Sequence, residues 1–206
     1  MKAQHFIGLS QMTPAQGRKL KTARKIQAAA MRLASRDGMA GLTAEAIARE
    51  AGISTRTFFN YYPFKEAALM GPPPDYPADA AEQFVEGRGR LIDDLHKLME
   101  RHLGRFAEER DQLAAVLRLA ETDAKLAAMY QNTQNLRRAE MATLLFRRVP
   151  RADPVLVAIL SSAITAATGR ALVDWAEGRQ DNIIATGLVY LEKIGPAVGM
   201  LNRKPD

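Results

Sequence analysis

Between Thr43 and Pro63 the chain is punctuated so closely that only one local arrangement fits. Thr43 stands as a hydroxyl N-cap before Ala-Glu-Ala, although Ala46 at the third position leaves out the reciprocal carboxylate of a capping box. Gly52 stops that short helix, and Ser54 caps the next. Pro63 ends the second helix, because it has no amide hydrogen and pushes Tyr62 out of helical geometry. The outcome is helix, tight turn, helix. Upstream, a longer helix is expected from about Pro14 to Arg36. Ile26, Ala30 and Leu33 recur on one face of it, Lys19, Lys21, Arg24 and Lys25 occupy the others, and Asp37-Gly38 and Gly41 end it.

A further helix begins at Phe64 and runs to Met70, where Gly-Pro-Pro-Pro-Asp-Tyr-Pro, residues 71–77, interrupts it and marks a domain junction. The N-terminal domain therefore covers 14–70 and a larger C-terminal domain 78–206. Beyond the junction every apolar pattern is helical: Leu91, Leu95, Leu98 and Leu103; Leu113, Val116, Leu117 and Ala120; Met129, Leu136, Met141 and Leu145. Two more helices, about 154–177 and 182–200, carry few charges and many small or aliphatic residues. They are either the buried centre of the C-terminal domain or the face that meets another copy of the chain. No segment alternates as a strand does, so the fold class is all-α.

Charge narrows the partner. Residues 1–65 hold eleven Lys or Arg against three Asp or Glu, while the remainder is slightly acidic, although the whole chain carries a formal +6. A polyanion bound by the N-terminal third explains that asymmetry, and a solvated basic surface is the alternative. The chain has no cysteine, which excludes disulfides and thiolate metal sites and suits a cytoplasmic protein. The first dozen residues lack the apolar core of an export signal, and the charge-free run from Val155 to Gly169 is too short and too rich in Ser and Thr to span a bilayer. No membrane partner is expected.

The two short helices have the lengths of a helix-turn-helix, in which the second helix enters a major groove about 12 Å wide. At 100° per residue, Phe58 and Tyr62 share the face that packs on Ile47, Ala51 and the first long helix, near Ile53. Arg56, Phe59 and Asn60 project oppositely, with Thr55 at one edge and Thr57 and Tyr61 on the remaining flank. Arg56 is the leading base reader, since a guanidinium donates to guanine O6 and N7; Asn60 pairs with adenine or a phosphate, and Thr55 or Phe59 touches a thymine methyl. Thr43, Thr57 and Tyr61 offer hydroxyls to phosphate oxygens and Lys65 adds charge there, while Thr43 and Ser54 also cap their helices.

The run Gly38…Gly41-Leu42-Thr43…Ile47-Ala48…Ala51-Gly52-Ile53-Ser54…Thr57-Phe58-Phe59…Tyr61-Tyr62…Lys65-Glu66…Leu69 closely resembles the N-terminal DNA-binding domain of TetR-type transcriptional regulators. The resemblance covers about residues 20–70. It implies an N-terminal three-helix DNA-binding domain, a C-terminal helical domain that binds a small-molecule effector, and a homodimer on a palindromic operator. It further implies repression relieved by the effector, and pairing of the last two long helices with their symmetry mates. This chain departs from the family pattern in having Phe58-Phe59 where a Leu-Tyr pair is usual, and in carrying Glu45 on the first turn of the supporting helix.

Other signals point nowhere. His96 and His102 lie about 240° apart on one helix and share no metal ion, His96 and Glu100 suit a surface pair better than a metal site, and Gly87-Arg-Gly89 has no strand before it. No metal, cofactor or enzymatic chemistry is expected. For an effector, Met99, His102, Phe106, Met129, Tyr130, Thr133, Phe146 and Trp175 line a cavity or are plain core, and the polar stretch Asn132 to Asn135 bonds a ligand or faces solvent. A DNA-binding accessory module whose C-terminal domain binds another protein is the alternative function.

Overall fold

A computed structural model describes residues 14–72 and 75–202. The N-terminal dozen residues read above for an export signal, prolines 73 and 74 of the junction, and the end of the C-terminal domain lie outside the described residues. No strand occurs among those described. They divide into two compact units: the described residues up to Asp75 with Asp111–Thr133, and Tyr76–Arg110 with the chain from Gln134 onward.

In the first unit, α1 (Pro14–Gly41) packs on α2 (Ala44–Glu50) and α4 (Lys65–Met70), and α2 packs on α3 (Thr55–Tyr61). Helix α1 outlasts its expected end at Arg36. Its helical geometry breaks at Gly38 (φ 65°) and then resumes for the three residues to Gly41. Ile26, Ala30 and Leu33 are buried while Lys19, Lys21, Arg24 and Lys25 lie on faces turned to solvent, so the helical spacing sorted the side chains as it should. Gln27 Nε2 donates to the Met70 carbonyl at 3.1 Å and Lys65 Nζ to the Met39 carbonyl at 2.8 Å. Each side chain satisfies a carbonyl near a helix end, where no amide partner remains.

Two further segments complete this core. Val116 of α7 (Arg110–Thr122) and Leu126 of α8 (Ala124–Arg148) are buried in the same cluster as Ile26, Leu33, Phe58 and Leu69. Asp123 starts α8 by accepting from the Leu126 amide at 2.8 Å. Two residues on, Lys125 Nζ lies 2.9 Å from Glu66 Oε2 and 3.8 Å from the centroid of the Phe64 ring. Glu66 is only 7% exposed, so its carboxylate depends on that ammonium.

The second unit is built from α5 (Ala78–Glu86), α6 (Leu91–Leu103), the later part of α8, α9 (Pro154–Ala176), α10 (Ile183–Glu192) and α11 (Ile194–Gly199). Leu95, Leu98, Met99, His102 and Leu103 give α6 its buried face, against which α5 and α10 pack. Gly187 allows the α10 contact, because a Cβ there would collide with Leu103. The helix expected over 182–200 is two helices, α10 and α11, meeting at Lys193. Pro196 supplies the reason: it has no N–H to donate to the Glu192 carbonyl, and its ring crowds that carbonyl.

Helix α9 has 23 residues and includes Arg170 and Asp174. It therefore extends past the charge-free run and is long and apolar enough to cross a membrane by length and composition, with a window of mean hydropathy 1.7. Ser161, Ile164, Thr165, Thr168, Leu172 and Trp175 are nonetheless buried within the unit. The threonine hydroxyls are satisfied there, because Thr165 donates to the Ser161 carbonyl and Thr168 to that of Ile164. Near its C-terminus the Asp174 carboxylate accepts from Arg170 Nε (2.9 Å), Tyr190 Oη (2.7 Å) and Arg179 Nε (2.6 Å), which ties α9 to α10 and to the turn between them. The Arg170 hydrogen bond above all, with those from Tyr190 and Arg179, holds the Asp174 carboxyl well below the usual carboxylate range.

Two outcomes follow from these knots. Lys125→Ala leaves Glu66 buried and unpaired and is expected to destabilise the protein by about 1–2 kcal/mol in denaturant titration, a loss partly recovered when Glu66→Gln is added. Asp174 contributes stability that is present above its unfolded pKa of about 3.9 and lost as the pH falls below it. Asp174→Asn should therefore lower the melting temperature at pH 7 by several degrees, and the difference from wild type should shrink as the pH is taken down toward 2.

Candidate nucleic-acid interface

Helix α3 has seven residues, fewer than an isolated helix needs in water. Its ends are fixed by caps and its axis by two buried rings. Ser54 Oγ accepts from the Thr57 amide at 3.0 Å and pairs with the Thr57 hydroxyl at 2.8 Å, while Thr43 Oγ1 caps α2 by accepting from the Ala46 amide at 3.1 Å. Between the helices Gly52 takes φ 62°, a conformation that a side chain would strain, and its amide donates to the Arg49 carbonyl. Phe58 is fully buried and Tyr62 is 7% exposed, with their ring centroids 6.3 Å apart. The Tyr62 hydroxyl donates to the Ala23 carbonyl of α1 at 3.1 Å. Burial pushes that phenol above its usual pKa, so it stays a donor throughout the ordinary pH range.

With that face committed to the core, Arg56, Phe59 and Asn60 are exposed side by side, and Thr55 and Thr57 are half-buried at the edges. Tyr61 is half-buried, with its ring packed on the core. Thr43 and Ser54 are exposed beside their caps. Lys65 is half-buried and spends one N–H on the Met39 carbonyl, which leaves two for a phosphate. Among nearby basic residues, Arg32 pairs with Glu50 and Arg36 with Asp37, whereas Arg56 makes no ion pair among the described residues. The arrangement is a short rigid helix presenting a guanidinium, an amide and a ring, with hydroxyls and an ammonium around it. That is the chemistry of groove readout flanked by phosphate contacts.

The residues singled out for an effector divide between the two units. Met129, Tyr130 and Thr133 belong to the first, where the Thr133 hydroxyl is spent on the Met129 carbonyl of its own helix. Met99, His102, Phe106 and Trp175 belong to the second, and Met99, His102 and Trp175 are buried in it. His102 stacks against Tyr76 at 4.6 Å and meets the edge of Phe106 at 5.6 Å, and its Nδ1 is buried with no hydrogen-bond partner. Burial, aided by the Arg137 and Arg105 charges, pushes the imidazole well below its usual pKa, so it is neutral near pH 7. Trp175 is covered by Arg110, whose Nε donates to the Trp175 carbonyl at 2.8 Å. Phe146 is 38% exposed and does not join this group. Within the polar stretch, Asn132 and Asn135 face solvent.

The Glu66–Lys125 pair and the Asp174 knot were not anticipated. Arg170 and Asp174 stand at i and i+4, a readable sign of an ion pair, but nothing in local spacing couples Glu66 to a residue 59 positions away.

Residues 26–69 match the family model for bacterial regulatory proteins of the tetR family. No curated relative matches the sequence. Among solved structures, the chain is similar to FadR of Thermus thermophilus, a TetR-family transcriptional repressor in complex with lauroyl-CoA, at 25% identity and TM-score 0.52, with 89% of this chain and 97% of that one covered. The fatty acid degradation regulator FadR from Bacillus halodurans superposes with TM-score 0.56 at 15% identity, covering 94% of this chain and 100% of its own. A tetR-family transcriptional regulator from Streptomyces coelicolor gives TM-score 0.56 at 19% identity, covering 87% and 81%.

Proposed function

We propose that this chain, whose N-terminal domain is of the TetR type and whose fold is TetR-like, is a homodimeric transcriptional repressor that leaves a palindromic operator when a small molecule binds its C-terminal domain. The observation that carries the reading is the face of α3. Arg56 and Asn60 stand exposed on a helix held against α1 by Phe58 and Tyr62. In this reading residues 14–70 are the DNA-binding domain, buttressed by α7 and the start of α8, and 78–206 hold the effector and the dimer contacts. Arg56 donates to guanine O6 and N7, and Asn60 pairs with adenine or a phosphate. Thr43, Ser54, Thr57, Tyr61 and Lys65 hold the backbone, and Thr55 or Phe59 touches a thymine methyl. The protein acts in the cytoplasm with no membrane partner, and the accessory-module alternative has no observation in its favour.

Dimerisation through α9 and α10 is supported by what they leave exposed. Val155, Leu156 and Ile159 of α9 are 60–64% exposed and Val189 of α10 is 49% exposed, although both helices bury another face within their own unit. An apolar stripe on a helix that is already packed calls for a second partner, and a symmetric copy provides one for each chain at once. To read successive major grooves, the two recognition helices of such a dimer must sit about 34–36 Å apart. The lauroyl-CoA complex of the Thermus neighbour makes lauroyl-CoA the first effector to try. An effector weakens the complex by favouring a separation of the helices that no longer matches the groove spacing.

The test is selection of bound sequences from a random duplex pool at two salt concentrations. A palindrome with half-sites one helical turn apart is expected; binding without consensus that fades as salt rises would leave only phosphate attraction. On the recovered operator, Arg56→Ala is expected to lose about 1–3 kcal/mol and relax the preference at one position per half-site. Lys65→Ala should weaken binding to all DNA and lower the salt slope by about one. Equal loss of specific and non-specific affinity in Arg56→Ala would remove its assigned role. Leu156→Glu combined with Ile159→Glu should convert the dimer to a monomer by light scattering and lower operator affinity about 100-fold or more. A dimer that survives the double substitution would place the interface elsewhere.

A further inference from the structure

Among the described residues of the first unit, Phe59 is the one large apolar side chain that is exposed, at 53%. Every comparable side chain described in that unit is at least half-buried, including neighbouring Phe58 at 0%. A single aromatic ring left on the surface of a small basic unit is a departure from its own burial pattern, and its position is not arbitrary. It stands on the exposed face of α3 beside Arg56 and Asn60, one helical turn beyond Thr55. Its ring meets Phe58 edge-on, with centroids 5.3 Å apart and planes at 86°, so a buried residue fixes its direction before any partner arrives.

We propose that Phe59 is a specificity-determining residue that reads a thymine in each half-site through the 5-methyl group. The inference rests on the reading of α3 as the groove-entering helix and deepens it. In the major groove the thymine methyl is the apolar feature among polar base edges, and an aromatic ring is one of the groups that recognise it. The flanking guanidinium and amide carry the polar part of the readout, and the ring supplies what they lack. Thr55 is the poorer reader: it is half-buried in the first turn, next to the Ser54 cap. A phenol in place of this ring would put a hydroxyl where the methyl is met, so the absence of an oxygen on Phe59 belongs to the same recognition.

The experiment uses the full-length protein and the duplex recovered by selection, with each thymine in turn replaced by deoxyuridine, which lacks only the methyl. For wild type, replacement at one position per half-site is expected to lower affinity about 3–4-fold, and about tenfold when both half-sites are changed. Phe59→Ala should bind more weakly and be indifferent to deoxyuridine at that position, whereas Phe59→Leu, which keeps an apolar side chain, should retain part of the discrimination. Wild type insensitive to every replacement overturns the proposal while leaving the operator reading intact. The same holds if Phe59→Ala keeps the full deoxyuridine penalty, which would assign the methyl to Thr55, or if Phe59→Ala binds the operator as wild type does, which would assign the ring to a protein partner. Failure to recover any consensus overturns this inference together with the reading beneath it.

Discussion

Burial of Phe58 is the contact on which the rest of the recognition surface depends. Helix α3 has seven residues and cannot sustain itself, so its existence is a consequence of tertiary packing rather than of propensity. Phe58 places one face of it in a core made with Ile26, Ile47 and Leu69, and Tyr62, one turn later, adds a hydrogen bond to the Ala23 carbonyl. Two points fixed one turn apart determine both the axis of the helix and its rotation about that axis. The side chains on the opposite face then have no freedom of direction beyond their own rotamers. The exposed face is held in one orientation because the helix is too short to stand without those two contacts.

What the sequence made legible is what local rules govern. Thr43, Gly52, Ser54 and Pro63 each act within four residues of themselves, and all four delimit α2 and α3 as expected. The sorting of Phe58 and Tyr62 from Arg56, Phe59 and Asn60 needed only the period of the helix. Pro196 was as local as Pro63 and should have split the last helix, but its apolar surroundings from Ile183 to Leu201 read as continuous. Periodicity alone does not register a lost amide. The membership of Val116 and Leu126 in the N-terminal core was beyond reach for a different reason. A helical stripe announces that a face is buried and says nothing about which helix buries it. The cost of Glu66 is likewise set by a distant lysine, and the engagement of Lys65 with the Met39 carbonyl follows from where α1 ends in space.

Charge in the first unit is used in two ways. Arg32 and Arg36 lie opposite Glu50 and Asp37 in exposed pairs that contribute little to stability but cancel much of their own field. Arg56 has no such partner among the described residues, so its charge is available at the surface of α3. The net excess of positive charge in residues 1–65 already subtracts those acidic partners, and it does not say which cation stands on the exposed face of α3. Long-range attraction to a polyanion follows from the sum, whereas discrimination among base sequences follows from which groups stand where a base edge can be met.

The same accounting applies to apolar surface, with opposite sign. In the second unit α9 buries Ile164, Leu172 and Trp175 yet leaves Val155, Leu156 and Ile159 in solvent, and among the described residues of the first unit only Phe59 is left out. Neither exposure is needed for folding, since each helix is already anchored by another face. Each carries a continuing cost in hydration and in the risk of non-specific association. The two differ in kind: a stripe of aliphatic groups on a long helix presents area, which suits a partner that can cover it along its length, and a single oriented ring presents a point. Area without polar guidance gives affinity with little choice of base or ligand, while a point between a guanidinium and an amide gives choice with little affinity. The chain places the first on helices with few charges and the second within its basic N-terminal third, so the two kinds of exposed apolar surface stand in different electrostatic surroundings and suit different kinds of partner.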